Sequence, residues 1–190
     1  MKKKMMALIV LSVLVLLFFV SCATSLSATS PGTAAPPFTL SDMTGRQVSL
    51  TDYKGQKAVL LLFTNCNTGG IQDPLVQSYI TRYQNTSKLE VLCVANGAAI
   101  SADVSQNMTG QTDTCPMMQY IAGQGVDSIN TLPMMDADGS VSQAYSANPD
   151  KLTLVLVDLD GHICLRQEAP SPAETNTELA KQIETVTGQH

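Results

Sequence analysis

Basic side chains are the scarce component of this chain: 11 Lys and Arg stand against 16 Asp and Glu in 190 residues, and three of the 11 are Lys2, Lys3 and Lys4. Without residues 1–21 the balance is 8 basic to 16 acidic residues, a net charge of −8. A surface of that sign repels phosphate backbones and anionic headgroups, which excludes nucleic acid as the main partner. No internal repeat divides the chain, and its length suits one domain with a real core rather than two. No Cys/His ligand spacing accompanies the pairs Met117-Met118 and Met134-Met135 or the neighbours His162 and Cys164. Thioether pairs of this kind fill core gaps, so neither a metal nor a cofactor is expected. The last absence concerns Cys66, which has no second cysteine within the following turn.

Long apolar runs are missing except at the start, where Met5 to Val20 follows Met1-Lys2-Lys3-Lys4. A charged start, an apolar stretch too short for a comfortable membrane span and small residues at the exit read as an export signal over residues 1–21. Phe19-Val20-Ser21-Cys22 resembles the bacterial lipobox, with Phe19 where Leu is usual. The resemblance implies that Cys22 becomes the lipid-modified first residue, anchoring an extracytoplasmic protein to a bacterial cell membrane or outer membrane. An uncleaved anchor and a plain secretory signal are the alternatives. Outside the cytoplasm disulfides are permitted, and Cys66, Cys93, Cys115 and Cys164 allow three full pairings among which sequence does not choose.

Residues 22–35 are small, polar and Pro-bearing and read as a flexible tether ahead of a domain over 36–187. Phe38-Thr39-Leu40 and Gln47-Val48-Ser49-Leu50 flank a turn-rich Asp42-Met43-Thr44-Gly45 and predict a hairpin. Ala58 to Thr64 is an unbroken apolar strand that ends just before Cys66. Apolar residues at 71, 75, 76, 79, 80 and 83 predict a helix with one buried face, followed by a buried strand over Leu89 to Ala95. Strand, helix, strand with continuous apolar strands argues for a covered parallel pairing. Asn96 to Thr114 reads as a long loop, Pro116 to Ala122 as a short helix and Val141 to Tyr145 as another. Leu152 to Val157 and His162 to Leu165, joined by Asp158-Leu159-Asp160-Gly161, predict a second hairpin, and Ala173 to Val186 a last helix. Asp136, Asp138, Asp158 and Asp160 sit beside glycines and read as turn residues rather than acid-base pairs.

This order, with Ala35-Pro36-Pro37-Phe38-Thr39-Leu40, Asp52-Tyr53-Lys54-Gly55, the strand into Cys66, Leu132-Pro133-Met134-Met135-Asp136-Ala137-Asp138-Gly139 and Leu156-Val157-Asp158-Leu159-Asp160-Gly161, resembles the redoxin form of the thioredoxin-like superfamily. The families in question are the alkyl hydroperoxide reductase/thiol-specific antioxidant proteins and the thiol-disulfide oxidoreductases. The resemblance implies an α/β fold with a central mixed sheet flanked by helices and an N-terminal β-hairpin. It implies thiol chemistry at Cys66 on protein thiols, protein disulfides or peroxide. Three positions depart from the pattern. Gly69 stands where a second cysteine would be, and Leu152 stands where the family places a cis-Pro, with Pro149 three residues early. Peroxiredoxins carry a Thr three residues before their cysteine; Phe63 holds that place and Thr64, the candidate supporting residue, is one step late. Their thiolate-steadying arginine has no clear counterpart, Lys151 and Arg166 being the nearest cations.

Cys66 at a strand-to-helix junction has the context of a reactive thiolate, because a helix's first-turn N–H groups favour negative charge; the alternative is a small core filler. Cys115 precedes a helix that would start on the same sheet edge, and some peroxiredoxins place their resolving cysteine on a later helix. That makes Cys115 the candidate resolving thiol, against a free cysteine on a loop. Cys93 and Cys164 fall inside apolar strands and are assigned to the core; the resemblance implies a sheet in which two other strands separate theirs, too far for a bridge. Two functions remain: a membrane-anchored thiol oxidoreductase or peroxidase working through Cys66, and a non-catalytic binding or scaffold lipoprotein that kept the fold.

Overall fold

The computed structural model describes residues 30–42, 44–64, 70–98 and 133–188. Its centre is the strand β3, Ala58–Thr64, seven residues buried without interruption. An apolar run of that kind has no solvent face, so both sides must be covered. Around it a seven-stranded mixed sheet is ordered β2-β1-β5-β4-β3-β6-β7. The members are β1 (Thr39–Asp42), β2 (Gln47–Ser49), β4 (Leu89–Asn96), β5 (Met134–Asp136), β6 (Thr153–Val157) and β7 (Ile163–Glu168). β3, β4 and β5 run parallel, Leu60 facing Val91 and Val94 facing Met134, while β6 lies antiparallel to β3 with Leu61 opposite Val155. This is the mixed sheet expected from the sequence, with the N-terminal hairpin β1–β2 at one end.

Among the described residues, two helices cover one face. In α1, Pro74–Tyr83, the Asp73 carboxylate accepts the Leu75 N–H at 2.7 Å, Pro74 takes the first-turn position that lacks a donor requirement, and Val76, Tyr79, Ile80 and Tyr83 are buried. In α3, Thr177–Thr187, Asn176 accepts the Leu179 N–H at 3.1 Å, Leu179, Ile183 and Thr187 are buried, and Gly188 closes the helix at φ 63°. Both helices start later than periodicity suggests, α1 after a 3-10 turn over Gly70–Gln72 and α3 after a turn in which the Asn176 N–H bonds Pro172. The capping side chains decide this, because an Asp or Asn that accepts a first-turn N–H holds its own backbone outside the helix.

The other face is covered by the hairpin, a 3-10 turn over Leu50–Asp52 and the short helix α2, Ser140–Ala144. Phe38, Val48, Leu50 and Tyr145 pack there on Val59, Leu61, Phe63, Val155 and Val157. The Tyr145 hydroxyl donates to the Pro36 carbonyl at 2.7 Å, and its ring lies 5.1 Å from that of Phe63.

Two boundaries change. Residues 30–35, the last six of the segment read as a tether, are bound to the β6–β7 hairpin, and residues 22–29 lie outside the described residues. Gly32 N–H donates to the Ile163 carbonyl at 2.7 Å, Ile163 N–H to Thr33 at 2.8 Å and Ala35 N–H to Gly161 at 2.9 Å. Asp136, read from sequence as a turn residue, is instead the last residue of β5, a strand the sequence reading did not register, and is fully buried. The long loop from Asn96 and the helix over Pro116 to Ala122 lie, beyond Ala98, outside the described residues.

Candidate functional site

β3, β4 and β5 are parallel and end at one edge of the sheet, where Thr64 pairs with Ala95 and Asn96 with Asp136. Cys66 comes two residues after Thr64; Cys66, Cys115 and Cys22 lie outside the described residues. Gly97 turns the chain at this edge. Its N–H donates to the Asp136 carbonyl at 2.7 Å, and a Cβ there would come within 2.9 Å of the Ala137 Cα, so only glycine allows the approach. The Asp136 carboxylate in turn accepts the N–H groups of Val141 at 3.2 Å and Ser142 at 2.6 Å, tying the end of β5 to the first turn of α2. Sequence reasoning missed this residue as a strut; an Asp four residues ahead of a short helix is the only signal it left.

Thr64 is buried, and its Oγ1 lies 3.8 Å from the Cys93 sulfur, on the face covered by α1 and α3. Cys93 is fully buried, and desolvation raises its thiol to about 11 despite the Thr64 contact that favours the thiolate. Cys164 is half-buried against the same face rather than enclosed. Burial first, and then the Asp158 carboxylate, raise it to about 11 as well. β3 and β6 separate the two strands, as the sequence reading required, and both thiols are free. At neutral pH each is overwhelmingly the unreactive thiol.

The two cations nearest the family's arginine position differ. Lys151 is exposed. Arg166 is committed: its guanidinium donates to the carbonyls of Tyr145, at 3.3 Å, and Ser146, and to Glu168 at 2.7 Å. The Glu168 carboxyl is held below its ordinary range by that arginine bond and by Asn148. Leu152 packs into the apolar cluster under α1 and α3, Pro149 is exposed, and every described peptide bond is trans. Asp138 and Asp158 do serve turns: Asp138 accepts the Ser140 N–H at 3.0 Å, and Asp158 accepts those of Asp160 at 2.9 Å and His162 at 2.8 Å. Among the described residues no group of three or more His, Cys, Asp or Glu is arranged to hold a metal. Met134 is buried in the core, and Met135 packs against it half-exposed.

The overall fold recurs in solved structures. A candidate thiol:disulfide interchange protein DsbE from Chlorobium tepidum matches with TM-score 0.57 at 22% identity over 84% of this chain and 99% of its own. The exposed lipoprotein thioredoxin Etrx1 of Streptococcus pneumoniae strain TIGR4 matches with TM-score 0.53 at 19% identity over 77% and 99%. The thioredoxin domain of a thiol-disulfide oxidoreductase from Bacteroides vulgatus matches with TM-score 0.53 at 19% identity over 81% and 98%. No curated protein matches the sequence. At these identities the structures establish a thioredoxin-like fold, and the AhpC/TSA family model matches residues 31–167. The chain therefore belongs to the AhpC/TSA family and has a thioredoxin-like fold.

Proposed function

We propose that this protein is an extracytoplasmic thiol-disulfide oxidoreductase or peroxide reductase that works through Cys66 and is held on a membrane by lipid on Cys22. The observation that carries the reading is the delivery of the chain by β3. Its buried strand brings Thr64, two residues before Cys66, to the edge where the parallel strands β4 and β5 also end. Ligand and substrate sites of open α/β sheets lie outside such carboxyl ends. Cys93 and Cys164, raised to about 11, do not compete. The anchoring reading is supported by the leader ending in Cys22 and by one structural relative being an exposed lipoprotein.

In the disulfide reaction the Cys66 thiolate attacks one sulfur of a substrate disulfide, the other leaves as a thiolate, and a mixed disulfide forms. A second thiol, from Cys115 or from an external dithiol, then attacks Cys66, releasing the reduced substrate. With peroxide the thiolate attacks one oxygen, the O–O bond breaks to release hydroxide or alkoxide, and the resulting sulfenic acid condenses with the same second thiol, losing water. Thr64 supports the arrangement by closing the strand two residues before Cys66 in the chain.

Differential alkylation with mass spectrometry, before and after a mild peroxide pulse, tests this. Cys66 should label fast at neutral pH and afterwards appear bonded to Cys115, while Cys66→Ser abolishes dithiol or peroxide turnover and leaves folding intact. A Cys66 as slow as Cys93 favours the second reading, a binding or scaffold lipoprotein without redox activity. That reading has its own support in Gly69, in the all-trans described backbone around Leu152 and in the commitment of Arg166 to carbonyl groups.

A further inference from the structure

The chain enters the domain at the end opposite the site. Residues 32–35 are bound to the β6–β7 turn through the Gly32, Ile163 and Ala35 N–H groups, and Ala34 bridges His162. Ser30 stays beside them, its carbonyl accepting the Thr33 N–H at 3.1 Å and the Thr33 hydroxyl at 2.6 Å. β6 runs antiparallel to β3 and its last residue, Val157, lies opposite Val59, so the turn after β6 lies beside the start of β3. Thr64, the last residue of β3, marks the site edge. Seven strand residues at about 3.3 Å each put about 20 Å between the two ends. Ser30 stands eight residues after Cys22, a separation that no backbone conformation stretches beyond about 28 Å. Setting the site edge on a bilayer would take up most of that reach in passing the length of the sheet; setting the turn there takes up little of it.

Charge sorts the two ends in the same direction. Ala58 N–H donates to the Lys88 carbonyl at 2.9 Å, so Lys57 and Lys88, the residues before β3 and β4, stand side by side at the turn end. Lys54 flanks the turn itself: Gly55 N–H donates to Leu159 at 2.7 Å, and a Cβ on Gly161 would lie 3.8 Å from the Lys54 Cδ. These three lysines balance the carboxylates of that end, Glu90, Asp158 and Asp160, and Glu90 is paired with Lys57 at 2.7 Å. The site edge is not balanced. Asp136 and Glu168 end β5 and β7, Asp138 follows β5 and Asp150 precedes β6, against Lys151 and Arg166. The ends are farther apart than the roughly 8–10 Å over which salt lets charges act, so a surface senses one at a time. An anionic headgroup layer therefore repels the site edge and tolerates the turn.

We infer that the anchored protein stands with its β6–β7 turn toward the lipid and its site edge about 20 Å farther out, so that the thiol takes substrates from the aqueous side and not hydroperoxides on acyl chains within the bilayer. The inference rests on the proposed anchor for its membrane and on the redox reading for its substrates, and the two are read separately.

The mature, lipidated, full-length protein is placed on vesicles of phosphatidylcholine and phosphatidylglycerol and recovered by flotation. A protein that does not float removes the anchor and the inference with it. An azide-bearing phenylalanine replaces Gln56, exposed at the turn end, or Pro149, exposed at the site edge beside Asn148, whose N–H bonds the Thr153 hydroxyl at 2.9 Å. Each is coupled to a dye, which leaves every cysteine native. A lipid carrying a nitroxide on its headgroup quenches only on close approach, and it should quench the dye at 56 several-fold more than the dye at 149. Equal quenching, or stronger quenching at 149, overturns the inference and leaves the anchor standing. Phospholipid hydroperoxide in the same vesicles should oxidise the Cys66 thiol about tenfold or more slowly than dissolved hydrogen peroxide. Inserting about twelve Gly and Ser residues before Ser30 should narrow that gap by letting the site edge reach the bilayer. A gap that the insertion leaves unchanged overturns orientation as what excludes acyl hydroperoxides. A Cys66 that neither peroxide oxidises removes the redox reading alone, and the two dyes still decide which end faces the lipid.

Discussion

The two faces of the sheet are covered in different ways. On one, α1 and α3 supply ten and eleven residues of helix, each satisfying its own backbone and each started by its own cap. On the other, the cover is assembled from pieces of three to five residues: β1, β2, the 3-10 turn and α2. Pieces that short leave many N–H and C=O groups without an internal partner, and side chains must supply them. Hence the buried carboxylates lie in the pieced-together region. Asp42 accepts from Thr44 N–H and Oγ1 and from Arg46 N–H and Nε at 2.6 to 3.0 Å, and Asp136 accepts from two α2 amides. The helical cover needs fewer such struts. Its main one is Asn176, which caps α3 and also donates to the Tyr79 hydroxyl at 2.8 Å and to Gln167 at 2.7 Å. Continuous helix is self-supporting; a patched cover depends on individual polar residues.

The largest expected effect ignores that difference, because both faces share the same strand. Phe63→Ala removes a ring packed on Tyr145 and should cost about 3–5 kcal/mol in urea unfolding. A loss below about 1 kcal/mol would mean that the pieced-together cover is not packed on the sheet. Next comes Asp136→Ala, which leaves two α2 amides unpaired in a buried place and should cost about 1–3 kcal/mol, with Asp136→Asn recovering part of it. Asn176→Ala provides the matching number for the helical face, about 1–2 kcal/mol. If Asn176→Ala proves more damaging than Asp136→Ala, the contrast between the faces is reversed.

The smallest effect is a pH dependence. Hydrogen bonds from Thr44 and Arg46 outweigh burial and hold the Asp42 carboxyl below its usual 3.8 in the folded protein. Its stabilisation is therefore complete above 3.8 and is lost as pH falls through the lower folded value. Thermal melts between pH 5 and pH 2 should show an acid limb that Asp42→Asn flattens; an identical limb in the variant would remove Asp42 as its cause.

Where sequence and structure agree, the signal was long and continuous. β3 and β4 are predominantly apolar strands of seven and eight residues, and α1 repeats apolar positions over three turns. Where they differ, the decisive interactions are between distant segments. β5 has three residues, and only its pairing with β4 and β1 makes Met134–Asp136 a strand, so beside Pro133 and Gly139 it reads as a turn. Cys164 was assigned to the core from an apolar neighbourhood, but β7 is the last strand of the sheet and leaves it half-exposed. At the candidate site, the sheet edge was legible because strand β3 ends where its apolar run ends, while Cys66 itself lies outside the described residues. The commitment of Arg166 to the Tyr145 and Ser146 carbonyls was not, because nothing local to Arg166 announces a partner twenty residues upstream.

Residues 30–35, whose composition resembles a linker, bear on the behaviour of the folded protein in crowded solution. Ile163 opens the outermost strand, yet its N–H and C=O are both taken, by Thr33 and Gly32. A strand with free rungs is a template on which a neighbouring molecule can add its own strand. The short segment removes the first rungs of that template, so it protects against aggregation. A version of the protein beginning at Pro36 would keep its core and lose its guard.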